Sequence, residues 1–309
     1  MTATPPAGLP PGSPFGPGIV ATVAYLHATQ MVSYSRMTGV LDGLFGLKLS
    51  EGAIANMLAR TAEPFAAKAG EIAGIVRASP VIASDETSAR VKGKTHWQWV
   101  FAAPRAVVHL IAPARGKAVP AEFLGTAKPK VWLSDRYLAQ CRHADAHQFC
   151  LAHLLRDAQY VRRGDAIFAP AFEAFLGDAC AAGRDRPGMS DAAIKAHARR
   201  LSRNFDRLLA LCGAATQIEG RKLRDAIAVN ARDKLLVFLT RRDVEPANNV
   251  SERALRPSVI FRKVTNGFRS EWGAKVYAGF CSITATGRLA GLSALDSIRA
   301  ALAPPAPRA

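Results

Sequence analysis

Residues 81–87 read VIASDET, an apolar run that stops abruptly on two adjacent carboxylates, Asp85 and Glu86. Two further runs follow, Trp97-Gln98-Trp99-Val100-Phe101-Ala102 and Ala106-Val107-Val108-His109-Leu110-Ile111, parted by Pro104-Arg105. Their β-branched and aromatic content predicts strands, and the short breaks predict a meander. Residues 117–124 predict a short helix. Lys130-Val131-Trp132-Leu133-Ser134 then predicts another strand, ending at Asp135. A meander, a crossover and a fourth strand parallel to the first describe a mixed sheet of the α/β class.

Working outward, residues 1–18 (MTATPPAGLPPGSPFGPG) are so dense in Pro and Gly that they read as a linker without regular structure. Residues 19–78 carry helical periodicity: Ile19, Val23 and Leu26 share one face, and Ile54, Met57 and Leu58 another. Ser50 is placed to cap the second of these helices, with Gly46 in the turn before it. This order suits either a small helical bundle or a helix-turn-helix, and the near-neutral charge of the segment favours the bundle. Residues 79–164 form the first part of the sheet-bearing core, in which the sequence reads as helix from His147 onward. Residues 165–245 are an all-α insertion, with helices expected over 192–211 and 218–239. Residues 246–302 complete the core, and 303–309 are a tail.

The chain has 309 residues, 41 Lys plus Arg against 24 Asp plus Glu, and a formal net charge of +17. Such an excess calls for a polyanionic partner. No apolar run of about 18 residues is present to cross a membrane, and no basic, then apolar, N-terminal signal occurs. Five cysteines without a CxxC pair make neither a disulfide framework nor a zinc ribbon, and they suit a reducing cytoplasm. The charge is concentrated. Residues 81–164 hold 13 basic and 6 acidic side chains, and residues 246–309 hold 9 and 3. If these blocks meet, they form one basic face with a few carboxylates inside it.

Those carboxylates carry the chemistry. Asp85 and Asp135 each follow an apolar strand, where open α/β sheets place their ligands. Carboxylate oxygens are the hard donors that Mg²⁺ takes, and a pair of such ions suits phosphoryl transfer. A third carboxylate is needed, and Glu245, Glu252 and Glu271 are the candidates. Glu252 stands out because ANNVSERALRP reads as a capped helix start with Arg253 and Arg256 one turn apart. Arg253, Arg256, Arg262, Lys263 and Arg269 are candidate phosphate contacts around it.

The strings VIASDETSARVKGKTHWQWVFA, VWLSDRYLAQC, HQFCLAHLLRDAQY and ANNVSERALRPSVIFRKVTNGFRSEWGAKVYAGFCSITATGRLAGLSALDSIRA resemble the IS66-family transposases, over roughly residues 15–302. The resemblance implies a ribonuclease-H-like core, a mixed sheet flanked by helices, with an N-terminal helical segment and an all-α insertion before the last acidic residue. It implies a DDE transposase that cuts and joins the ends of a bacterial insertion element. Asp85, Asp135 and Glu252 would hold two Mg²⁺ ions, with Mn²⁺ as a substitute. The implied partners are DNA ends and target DNA, a second copy of the chain on the DNA, and accessory proteins of the element, at the bacterial nucleoid and not at a membrane. It also implies a longer chain with an upstream DNA-binding, cysteine-bearing region. Since this chain opens on the linker, the expectation is that this region is lacking, with a catalytically inactive DNA-binding remnant as the alternative.

His143, His147, Cys150 and His153 have the chemistry of zinc ligands. Their position across a strand-to-helix transition favours packing instead. Cys150-x-x-His153 resembles an element that follows the second Asp in several DDE families, and a supporting role beside Asp135 is expected for it. Trp97 and Trp99 are expected in the core, and Glu86 on the face of the strand opposite Asp85.

Overall fold

The computed structural model describes residues 15–210 and 218–303. The elements in chain order are α1 (Pro17–Ala28), α2 (Tyr34–Phe45), α3 (Glu51–Arg60), α4 (Ala62–Arg77), β1 (Val81–Val91), β2 (Lys94–Ala103), β3 (Ala106–Ala112), α5 (Ala118–Leu124), β4 (Val131–Ser134) and β5 (Ala146–Phe149). They continue with α6 (Leu151–Val161), α7 (Phe168–Asp185), α8 (Asp191–Ala210), α9 (Ile218–Asn230), α10 (Asn249–Thr265), α11 (Glu271–Leu289) and α12 (Ala294–Leu302). The five strands form one sheet in the order β3-β2-β1-β4-β5. β2 and β3 run antiparallel, while β4 runs parallel to both β1 and β5. A meander continued by parallel strands and flanked by helices is the expected ribonuclease-H-like arrangement.

The chain divides into two compact units, and β1 is shared by them. One unit comprises 1–79, 85–115 and 251–309, and the other comprises 80–84 and 116–250. Two of the four dividing lines fall inside elements, between Ser84 and Asp85 in β1 and between Val250 and Ser251 in α10.

In the unit holding the meander, β1 turns into β2 at Lys92-Gly93, both with positive φ, as a tight hairpin requires. β3 is the edge of the sheet, and α11 closes that edge. Ser282 Oγ accepts the His109 N–H at 2.8 Å, and Thr286 Oγ1 accepts the Val107 N–H at 3.0 Å. Hydroxyls four apart on a helix meet amides two apart on a strand, which removes the open edge. α11 packs on α4 through Gly279, where a Cβ would lie 3.1 Å from that of Phe65. The expected N-cap at Ser50 is present, its Oγ accepting the Ala53 N–H, and Gly46 closes α2 with φ +65°. α1 starts at Pro17, two residues inside the stretch read as a linker. Proline is favoured in the first helical turn because its missing N–H is not needed there. Residues 1–14 of that stretch, 304–309 of the tail, and Cys212 lie outside the described residues.

In the other unit, Phe168, Phe172, Phe175, Leu201, Phe205 and Phe238 build an aromatic core among α7, α8 and the chain after α9. The helix expected over 218–239 ends at Asn230. The larger correction is β5. Residues read as helix from His147 pair with β4 in register, Trp132 with His147 and Ser134 with Phe149, and α6 begins only at Leu151. The hydrophobic pattern from His147 fits a helical face, but three buried residues in a row, His147, Gln148 and Phe149, fit a strand covered on both sides. Gln148 confirms it: its amide donates to the carbonyls of Phe149 and Leu235, and its Oε1 accepts the Phe238 N–H at 3.0 Å.

Candidate active site

Ser84, the last residue of β1 in the unit that contains β4, is fully buried, and Asp85 follows it, half-buried. The register runs Val81 with Val131, Ile82 with Trp132 and Ala83 with Leu133. Asp85 Oδ1 accepts the N–H of Glu86 at 2.8 Å. Glu86 is spent elsewhere. Its side chain is 1% exposed and pairs with Arg115 at 2.9 Å, whose guanidinium also lies 4.5 Å from the Trp97 ring centre. Trp99 is buried as expected, whereas Trp97 is half-exposed under that arginine.

Asp135 leaves β4 in a tight turn in which its Oδ1 accepts the Tyr137 N–H at 3.0 Å. The turn is braced from below. Ser134 Oγ donates to the Asp135 carbonyl at 2.8 Å and lies 2.9 Å from His147 Nε2. Since the hydroxyl proton is given to the carbonyl, His147 donates through Nε2–H. Burial lowers the His147 pKa to about 3, so the ring is held neutral. Next to Asp135, Arg136 pairs with Asp157 on α6.

A chain of hydrogen bonds joins the segments that carry these residues. Asn248 Nδ2 donates to the Ser84 carbonyl at 2.8 Å. The Asn248 N–H donates to Cys150 Sγ at 3.1 Å, and the Cys150 N–H donates to the Ser134 carbonyl at 2.8 Å. The Leu151 N–H adds a bond to the Pro246 carbonyl at 2.9 Å. Thus the carbonyls immediately preceding Asp85 and Asp135 are tied through Asn248 and Cys150 to the residue that opens α10. Glu252 lies four residues after Asn248, half-buried in the first turn of α10.

Asn248 sits where a helix cap belongs, but it does not serve as one. Its amide is committed to β1, and among the described residues neither its buried Oδ1 nor Ser84 Oγ makes a hydrogen bond. Such orphaned buried acceptors are costly, on the order of 1–3 kcal/mol each. The approach to Asn248 is fixed by Arg186, 5% exposed, which donates to the carbonyls of Phe238, Arg241 and Val244.

Of the four residues with zinc-ligand chemistry, Cys150 and His153 hold their ligand atoms within 4.8 Å of each other, and His143 and His147 are engaged elsewhere. His143 Nε2 is 2.8 Å from the Ala139 carbonyl, His147 is bound to Ser134, and the buried Cys150 thiol accepts from Asn248. His153 is half-buried on α6, one turn beyond Cys150.

Around α10, Arg253, Arg256 and Lys263 are exposed, as is Arg269 beyond the helix end, and none of the four is ion-paired among the described residues. Arg262 differs. Its Nη1 bonds to the carbonyl and Oγ of Ser88 and reaches Thr87 Oγ1 at 3.4 Å, which fastens α10 to β1. Deeper in the same unit, Gln98 Nε2 donates to His109 Nδ1 at 3.1 Å and to Ser258 Oγ at 2.8 Å, and Tyr277 donates to the same Ser258. Burial lowers the His109 pKa to about 3 and raises that of the Cys281 thiol to about 11.

Sequence reading singled out the carboxylates as candidates and passed over Asn248, Ser84, Ser134 and Arg186. The paired asparagines at 248 and 249 were the available signal. A buried arginine that serves three carbonyls and the Glu245 carboxylate leaves none.

Among the described residues no helix is long and apolar enough to cross a membrane. No curated protein matches the chain. Residues 12–276 match the family described as Transposase IS66 family. With that match covering most of its length, and with the mixed sheet and helices described above, the chain belongs to the IS66 family of transposases.

Proposed function

We propose that this transposase is a DDE enzyme, in which Asp85, Asp135 and Glu252 hold Mg²⁺ for cleavage and strand transfer at the ends of an insertion element. The observation that carries the reading is the hydrogen-bond chain Ser84–Asn248–Cys150–Ser134. It fixes the backbone immediately before Asp85 and before Asp135, and it starts the helix that bears Glu252. Preorganised carboxylates are what a metal-dependent phosphoryl transfer needs from its protein.

The donor types suit the metal. Three carboxylates are hard oxygen ligands of the kind Mg²⁺ accepts. The softer Cys150 thiol is turned to the Asn248 amide. When bound, Mg²⁺ supplies activation of the attacking oxygen and stabilisation of the leaving one. The protein does the rest. Asp85, Asp135 and Glu252 fix the ligand positions. His147, neutral, holds the Ser134–Asp135 turn. Arg253 and Arg256 on the first turns of α10 engage phosphates as cations suited to bidentate contact, and Arg262 holds the helix to β1.

The reading is tested by metal-linked stability. Mg²⁺ or Mn²⁺ should raise the melting temperature of the wild-type chain, and this rise should be lost in Asp85→Asn, Asp135→Asn and Glu252→Gln. An equal rise in all four proteins overturns the assignment.

A further inference from the structure

Two cavities in the unit that holds the meander share one wall. The larger, of about 610 Å³, is lined by rings, among them His27, Tyr34, Phe261, Phe268 and Trp272, with Arg36 and Arg269 also among its lining residues. The smaller, of about 250 Å³, is lined by Arg90, Lys92, Gly93, Asn266, Phe268 and Arg269. Neither lining includes a carboxylate among the described residues, but Lys92 is paired with Glu271 at 3.3 Å, so Arg90 and Arg269 are the cations of the notch not ion-paired among the described residues. Phe268 and Arg269 belong to both, so an aromatic, apolar chamber and a notch with three cations stand on the two sides of one dipeptide.

That wall is rigid. The Phe268 N–H donates to the Arg90 carbonyl at 2.7 Å, and the Lys92 N–H donates to the Phe268 carbonyl at 2.9 Å. Gly267 makes this approach possible. At φ +100°, a Cβ there would lie 2.5 Å from the Arg90 carbonyl oxygen, so the segment can sit against the β1–β2 hairpin only with glycine at this position. The Phe268 ring stacks on Phe261 at 5.5 Å. Trp272 remains 40% exposed, an unusual state for the largest apolar side chain.

A ligand that matches this pair has a flat aromatic part and, one short link away, a phosphate. We infer that the two cavities take one unpaired nucleotide of a DNA strand, its base among the rings beside Trp272 and its phosphate against Arg269 and Arg90. The larger volume is within the range of small-ligand sites, and stacking on aromatic side chains is how proteins hold unpaired bases of any sequence. The inference rests on the reading of the chain as a DNA-processing transposase, but it concerns binding and requires no carboxylate.

The test uses the full chain with a single-stranded 12-mer carrying one 2-aminopurine, followed by its emission and by anisotropy. The wild type should bind and quench the emission. Trp272→Ala, at a half-exposed site that leaves the core intact, should lose the quench and bind about five- to one-hundred-fold more weakly. Ala28→Phe, which fills the larger cavity, should do the same. Arg269→Ala should lower the salt dependence of log K by about one unit of slope. Val229→Ala, at an exposed position of α9 that lines neither cavity, should bind and quench like the wild type. Unchanged affinity and quench in Trp272→Ala and Ala28→Phe overturn the inference while leaving the DDE reading in place. Competition by free thymidine monophosphate as strong as by the strand overturns it in favour of a free nucleotide. A dimer that Trp272→Ala dissolves assigns the cavity to a second copy instead. A wild type that binds no DNA overturns both readings.

Discussion

The side-chain amide of Asn248 donates to the main-chain carbonyl of Ser84 at 2.8 Å, 164 residues away in sequence. One link thereby connects the strand that leads into Asp85 with the start of the helix that carries Glu252. Asn248→Ala removes the only hydrogen bond this buried side chain makes among the described residues. It should cost on the order of 1–3 kcal/mol of stability and should lower DNA cleavage more than tenfold under conditions where the variant remains folded. Asn248→Asp should be worse, because it sets a carboxylate against a carbonyl. Denaturant titration together with a cleavage assay checks both. A stability loss with normal cleavage would leave Asn248 a purely structural residue.

The arginines of α10 should separate into two kinds. Arg262→Ala breaks the bonds to Ser88 and should lower stability by about 1–3 kcal/mol. Arg256→Ala touches an exposed residue and should leave the melting temperature unchanged. It should nonetheless weaken DNA binding and reduce its salt slope by about one. Parallel melting and salt-titration curves would show whether this division holds.

Acid sensitivity should follow the buried histidines. His109 and His147 have folded pKa values lowered to about 3 by burial, against an ordinary value of 6.5. The unfolded chain therefore binds more protons than the folded one between those values. The stability these neutral rings contribute is complete above about pH 6.5 and declines as pH falls toward 3. The slope approaches about 1.4 kcal/mol per pH unit for each ring. Urea unfolding at several pH values should show a shallower decline in His147→Gln than in the wild type.

Gly267→Ala should be severe for its size. The new methyl meets the Arg90 carbonyl at 2.5 Å and the residue sits at φ +100°. A loss of about 1–3 kcal/mol from backbone strain alone is expected, whereas Gly43→Ala, in open space on α2, should be neutral or slightly stabilising. Melting curves of the two variants make the comparison.

The strands of the meander and β4 were legible because each is a run of apolar, β-rich residues bounded by turn chemistry. β5 was not. Its four residues, Ala146–Phe149, include a histidine and a glutamine whose burial depends on Ser134 and on the chain near Phe238. Those partners lie 13 and 90 residues away, where periodicity carries no information. Asp85, Asp135 and Glu252 were legible as acidic residues inside basic blocks that end strands or begin a helix. Their supports were hidden for the opposite reason: Asn248 and Ser84 act through a side-chain-to-carbonyl bond that any asparagine could make and few do. The same holds for Arg262. By charge it belongs with its exposed neighbours, yet a half-turn of helix points it at β1.

The central claim is that Asp85, Asp135 and Glu252 act as one metal-holding set. The most direct measurement is Mg²⁺-dependent cleavage of DNA carrying the element ends, by the wild-type chain and by Asp85→Asn, Asp135→Asn and Glu252→Gln, with DNA affinity measured beside it. The account predicts that each variant loses cleavage by at least about a thousandfold, on the order of the loss expected when a group essential to the chemical step is removed. It also predicts that each keeps its DNA affinity within about twofold, since the basic side chains that supply it are untouched. Cleavage at the wild-type rate by any one of the three variants would contradict it.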